Sequence, residues 1–241
     1  MIHLLRAEWI KFRSVRSTWV LTGVAVALSL LIAGIAASAD DGGQPAVETL
    51  AVSSTFVFIL LLVLGIQFIG QEYRFGTIRA TFTAVPNRTR VLAAKTMFGV
   101  GIGAVTGLVA FVGSFAVASI VFAGDDRSIP FDARLAETIT AYVVVAAVSV
   151  VLGIGVGAIT RNPALGIAAV LIDMFVLESL VTVFVSEDLG SVLPFNASFA
   201  ALPGIGGDTL LSPWFVALAV YAAWAVGLLL IGGLIVERRD P

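Results

Sequence analysis

Gln71-Glu-Tyr-Arg-Phe-Gly-Thr-Ile-Arg-Ala-Thr-Phe-Thr-Ala-Val-Pro-Asn-Arg-Thr-Arg90 places four arginines, Arg74, Arg79, Arg88 and Arg90, between two long apolar runs. Leu50–Ile69 precedes it and Lys95–Ala123 follows it, each almost free of charge. A bilayer core of about 30 Å is crossed by roughly 20 apolar residues in helical form. A short basic stretch between two runs of that length reads as the turning point of a membrane chain.

The composition extends this reading to the whole molecule. Hydrophobic residues make up 59% of the 241 residues and charged residues 12%, against about 25% charged in a soluble domain. Six apolar runs stand out, at Thr18–Ala37, Leu50–Ile69, Lys95–Ala123, Thr138–Thr160, Pro163–Val185 and Trp214–Val236. They are too long and too continuously apolar for barrel strands, and lipid requires every backbone polar group to be satisfied internally. The expected fold is therefore all-α, a polytopic membrane protein with six transmembrane helices over residues 18–236. The third run exceeds a perpendicular crossing, which predicts a tilt or an extension beyond the membrane.

Basic residues set the orientation, because Lys and Arg are retained on the cytoplasmic side. With both termini inside, 12 of the 14 basic residues fall on the inner side, and Arg127 and Arg134 alone fall outside. Asp40, Asp41, Glu48, Asp125, Asp126, Asp132, Glu137, Glu187, Asp188 and Asp208 fall outside. This predicts a multi-pass membrane protein with both termini cytoplasmic, including the tail 237–241.

Residues 1–17 have an organisation of their own. Ile2, Leu5, Trp9 and Phe12 recur at helical spacing, flanked by Arg6, Glu8, Lys11 and Arg13. That pattern predicts an amphipathic interfacial helix lying on membrane lipid, with Glu8 and Lys11 spaced i,i+3 for pairing. Ala37-Ser38-Ala39 imitates a signal-peptide cleavage site, but the preceding run is longer than the 7–15 residues usual there.

Within the loop 70–95, Glu72-Tyr73-Arg74 continues the second helix beyond its apolar run. Gly76 permits a turn. Thr77–Phe82 predicts a short helix with Ile78 and Phe82 on one side and Arg79 on another. Pro86 forces the residue before it out of helical geometry, and Asn87 is placed to cap the third span. The loop reads as a compact lever.

Small residues recur every four positions at Gly99, Gly103 and Gly107 and at Ser149, Gly153 and Gly157, forming faces that permit close helix approach. Gly101 reads as packing as well. Spacing leaves open whether these faces meet within one chain or between two, with intrachain packing the default. Asp173 and Glu178 interrupt the fifth span, and intramembrane carboxylates are candidates for a translocation path or a polar network. Five residues span about 140° of an α-helix, so the two point apart unless the helix is distorted. Residues 186–213 are apolar for an outer loop and predict short helices folded back on the membrane, broken by Pro194, Pro203 and the glycines 204–207.

The opening Glu8-Trp-Ile-Lys-Phe-Arg-Ser-Val-Arg-Ser-Thr18 and the loop Glu-Tyr-Arg-x-Gly-Thr-Ile-Arg with its downstream Arg-Val-Leu-Ala-Ala-Lys95 resemble bacterial ABC type 2 (type V-like) export permeases, especially actinobacterial ones. Six spans with both termini inside match as well, so the resemblance covers essentially the whole chain. It implies a permease that pairs with a second copy, identical or related, and is driven by a separate cytoplasmic ABC ATPase that binds ATP and Mg. It also implies ATPase coupling for Glu72, Tyr73, Arg74, Gly76, Thr77, Ile78 and Arg79, and re-entrant helices between spans five and six. An apolar cavity between two such halves favours an amphipathic drug or lipid, with a peptide-like cargo equally open, and no nucleic acid is expected.

Enzymatic readings are excluded on other grounds. No Gly-x-x-x-x-Gly-Lys-Ser/Thr phosphate loop occurs. His3 is the single histidine and there is no cysteine, so no histidine triad or multi-histidine metal site forms. The competing functions are an ion-coupled transporter using the intramembrane carboxylates and a non-transporting scaffold or immunity protein.

Overall fold

The computed structural model describes residues 1–40, 46–203 and 210–238. It consists of helices α1 (Ile2–Ser14), α2 (Arg16–Ala39), α3 (Ala46–Val52), α4 (Thr55–Arg74), α5 (Ile78–Ala84), α6 (Arg88–Gly124), α7 (Ala133–Thr160), α8 (Pro163–Ile172), α9 (Glu178–Phe184), α10 (Glu187–Ser191), α11 (Pro194–Ala200) and α12 (Trp214–Arg238). Among the described residues there is no strand. Six helical stretches are long and apolar enough to cross a membrane: Arg16–Ala39, Val47–Arg74, Arg88–Gly124, Ala133–Thr160, Pro163–Phe184 and Trp214–Arg238. These are spans 1 to 6, and each contains or overlaps the run expected at its place.

The junctions follow from local chemistry. Val15 is extended (φ −96°, ψ 113°) and separates α1 from span 1. The Thr18 hydroxyl donates to the carbonyls of Phe12 at 2.8 Å and Val15 at 2.6 Å, satisfying acceptors that the helix end leaves orphaned. Span 2 is interrupted by a turn at Ser53-Ser54, where α3 gives way to α4. There the buried hydroxyls of Ser53 and Ser54 donate back to Leu50 at 2.7 Å and Ala51 at 2.6 Å. Such back-bonding competes with the helical ladder and bends helices.

Gly76 ends α4 in the left-handed region, φ 70°, where a side chain would be strained. Val85 is extended before Pro86, and Asn87 accepts from the Arg90 N–H at 2.9 Å as N-cap of span 3. Span 3 runs for 37 residues, about 55 Å at 1.5 Å per residue. That is well beyond the bilayer core, as its apolar run predicts. Asp132 caps span 4 through the Leu135 N–H at 3.0 Å, and Asn162 with Pro163 at the first turn starts span 5.

Span 4 is the centre of the bundle, buried on several sides by spans 2, 3 and 6. Glycine makes each contact possible. A Cβ on Gly153 would stand 2.0 Å from the Leu62 carbonyl oxygen, and one on Gly65 2.2 Å from the Val150 oxygen. Gly157 faces Ile66 and Ile69 of span 2. Gly99, Gly103 and Gly107 of span 3 press on Val150, Ala147 and Ala146 of span 4. Gly232 of span 6 meets Ala158 and Gly155. The two predicted small-residue faces therefore pack within the chain but on different neighbours, not on each other. Gly101 is a correction: a Cβ there meets nothing within 4 Å, because it points away from span 4.

Two buried polar sets cross the bundle. Ser29 of span 1 is hydrogen bonded to Ser114 of span 3 at 2.7 Å and to the Tyr142 hydroxyl of span 4 at 2.9 Å. Ser149 of span 4 meets the Tyr221 hydroxyl of span 6 at 2.8 Å. Interhelical hydrogen bonds of this kind hold membrane helices in register.

Candidate functional site

At the end of the bundle carrying the chain termini, three elements distant in sequence converge on one buried cluster of charge. Glu8 of α1, Glu72 at the end of span 2 and Lys95 of span 3 lie within hydrogen-bonding distance, with Lys11 above them. Lys95 donates to Glu8 at 2.9 Å, to the Phe68 carbonyl at 3.0 Å and to Glu72. An ammonium group has three donors, and all three are used. Lys11 reaches Glu8 at 3.0 Å and Glu72 at 2.7 Å. The second Glu72 oxygen accepts from Thr81 of α5 at 3.0 Å. Lys95 is completely buried, and Glu8 and Glu72 are 8% exposed.

Two carboxylates and two ammonium groups cancel, which is the condition under which such charges are tolerated away from water. Burial alone would lower the Lys11 pKa; the Glu8 and Glu72 carboxylates beside it win and hold it above the ordinary lysine value.

This arrangement corrects the reading of α1. Glu8 and Lys11 do not flank its apolar stripe; they face the bundle together with Phe12, while Ile2 and Trp9 are exposed. Phe12 packs against Phe68 and Phe98 with ring centroids 6.2 and 5.8 Å away. The helix break at Val15 turns this face inward. Lys95, counted in the sequence only as a topology marker, is the residue that joins the cluster.

The seven residues assigned to coupling divide into two groups. Glu72 and Ile78 are buried, and Tyr73 is half-buried under the Arg161 guanidinium, 5.0 Å from its ring. Arg74, Gly76, Thr77 and Arg79 are exposed, with Phe75 69% exposed between them. Ile78 and Phe82 anchor α5 on the bundle and Arg79 points outward, as their spacing predicts. Beside them, Arg88 donates to the Val236 carbonyl at 2.8 Å and Arg161 to that of Ile235 at 2.9 Å. Two cations thus hold the C-terminal end of span 6, where the helix dipole favours positive charge.

At the opposite end, Arg127 pairs with Asp40 at 2.8 Å and Arg134 with Glu48 at 2.9 Å. The loop between spans 3 and 4 and the first turn of span 4 are thereby tied to the end of span 1 and the start of span 2.

Span 5 contains the distortion that brings its two carboxylates together. Asp173–Leu177 form a π turn, and the Glu178 N–H donates to the Asp173 carbonyl. A π turn closes five residues apart, so Asp173 and Glu178 stack on one side instead of diverging. Glu178 is buried and accepts the backbone N–H groups of Phe195 at 2.7 Å and Asn196 at 2.8 Å. It therefore joins span 5 to the first turn of α11. Asp173 is half-buried beside Phe195 and Trp224, lining a cavity of about 230 Å³. Pro194 opens α11 at its first turn and does not break a helix; the glycines 204–207 lie outside the described residues.

Residues 4–177 match the family model described as ABC-2 family transporter protein. The chain belongs to that family. No curated protein matches it. The matched region takes in most of α1, the loop at residues 70–95 and spans 1 to 4, and ends at the last residue of the π turn. As an ABC-2 family protein with six apolar helices, the chain is the multi-pass permease subunit of an ABC transporter. Such a subunit is a component of membrane transport and not a catalytic one, and the family implies an ABC ATPase as its partner.

Proposed function

We propose that this permease is half of an ATP-driven exporter in the bacterial plasma membrane. The termini and the loop at residues 70–95 face the cytoplasm, and a separate ATPase subunit binds ATP and Mg and docks on that loop. A second permease copy, identical or related, completes the pathway. Cargo moves by alternating access between the two halves, and an amphipathic drug, lipid or peptide-like molecule fits so apolar a bundle.

The observation that carries this reading is the division of labour in the coupling loop. Arg74, Phe75, Thr77 and Arg79 present an exposed cationic and aromatic surface. Behind it, Glu72 grips α5 through Thr81 and grips spans 2 and 3 and α1 through two lysines. A force applied at the exposed surface is delivered to three elements at once. Glu72 is a positioning residue here, and Arg79 and Phe75 are contact residues. Both oxygens of Glu178 are engaged by backbone, which supports a structural role for it and weakens an ion-coupled mechanism.

The test is purification with the ATPase subunit encoded alongside this chain. Arg79→Glu is expected to lower substrate-stimulated hydrolysis about tenfold or more, the scale of losing one or two charge-assisted contacts, with the chain still membrane-inserted and monodisperse. A permease that neither co-purifies with an ATPase nor alters its hydrolysis would sink the proposal.

A further inference from the structure

A cavity of about 410 Å³ occupies the corner between α1, the start of span 1, the end of span 2 and α5. Phe12, Phe68 and Phe98 form its apolar wall, and Lys11, Gln67 and Gln71 part of its polar side. The hydrogen bonds already made there decide what kind of ligand fits. Both carboxylates at the cavity are spent: Glu8 holds Lys11 and Lys95, and Glu72 holds both lysines and Thr81. A cationic ligand would have to displace a partner to bind.

Donors remain. Lys11 gives two of its three N–H groups to Glu8 and Glu72, and its side chain is still 41% exposed. Gln67 accepts from Gln71 at 2.8 Å, and its own amide N–H groups have no partner among the described residues. Arg13 and Arg16, next in sequence to the lining residues Phe12 and Val15, are exposed.

The depth of the corner points to the membrane surface. Trp9 and Trp19 are 45% and 50% exposed, and both pack on Phe12, with centroids 6.2 and 5.2 Å away. Tryptophans with one face on protein and one free collect at headgroup level. A site with free donors beside an aromatic wall at that level is matched to an anionic head on an apolar tail.

We propose that this corner binds one anionic phospholipid, its phosphate on Lys11 and Gln67 and the upper part of an acyl chain against Phe12, Phe68 and Phe98. The lipid would also touch Phe75, Thr77 and Thr81, which line the same cavity, so its occupancy bears on the position of the exposed loop. The site itself stands independently of any ATPase.

The experiment uses the full chain in lipid nanodiscs with Trp9 as reporter, after Trp19→Phe, Trp214→Phe and Trp224→Phe. Quenching by brominated phosphatidylglycerol is compared with quenching by brominated phosphatidylcholine. We expect a preference of about fivefold for the anionic lipid, the effect of one basic residue near a charged surface. Lys11→Arg should keep it; Lys11→Met and Gln67→Leu should abolish it. Gln67→Leu leaves the ion cluster intact, so it decides the matter even if Lys11→Met fails to fold. Equal quenching by the two lipids, or a preference surviving in Gln67→Leu, overturns the proposal. Millimolar inorganic phosphate should not relieve the quenching; relief would replace the lipid with a soluble anion and overturn the assignment equally.

Discussion

Lys95 shows how much a single residue determines. Its ammonium group joins α1, span 2 and span 3 by charge, and it is entirely out of water. Removing one partner from a buried ion pair costs about 3–5 kcal/mol, because the remaining charges stay uncompensated. Lys95→Met, which keeps the side-chain volume, is therefore expected to lower the thermal unfolding midpoint sharply and to free α1 for proteolysis. An unaltered midpoint would show that the cluster does not hold α1. The sequence makes the Glu8–Lys11 pair legible, since i,i+3 spacing is local geometry. It does not make Lys95 or Glu72 legible as partners, because nothing in a sequence encodes contacts 87 and 61 residues apart. An apolar run opening with lysine looks the same whether that lysine faces headgroups or carboxylates.

At the scale of elements, the six spans are readable because a charge-free run of 20 residues has no other stable form in lipid. The turn at Ser53-Ser54 and the π turn at Asp173–Leu177 are not, since neither is marked by proline or glycine and both depend on what the segment packs against. The glycine faces are legible as faces, while the helices they meet emerge only from the fold. Their consequences differ by position. Gly153→Ala puts a methyl 2.0 Å from a backbone oxygen of span 2, and backbone yields poorly to overpacking, which costs about 1–3 kcal/mol or more. It should abolish monodisperse protein on size-exclusion chromatography. Gly101→Ala meets nothing and should be neutral or stabilising by up to about 1 kcal/mol through helix propensity. Equal behaviour of the two variants would contradict the packing of span 4 against span 2.

For the whole molecule, the absence of cysteine makes orientation directly measurable. Thr83→Cys in α5 and Asp126→Cys in the loop after span 3 are both exposed and lie at opposite ends of the bundle. In intact cells an impermeant maleimide should label Asp126→Cys and spare Thr83→Cys until the membrane is opened; the reverse pattern would invert the topology. The ion cluster also imposes an order on biosynthesis. Glu8 leaves the ribosome 87 residues before Lys95, roughly 4–17 s earlier at about 5–20 residues per second. Throughout that interval Glu8 has no cation from another element, although Glu72 of span 2 emerges earlier and can already take Lys11. The arrival of span 3 is thus the event that completes the cluster, and a chain stopped short of it leaves two carboxylates, Glu8 and Glu72, sharing Lys11 alone.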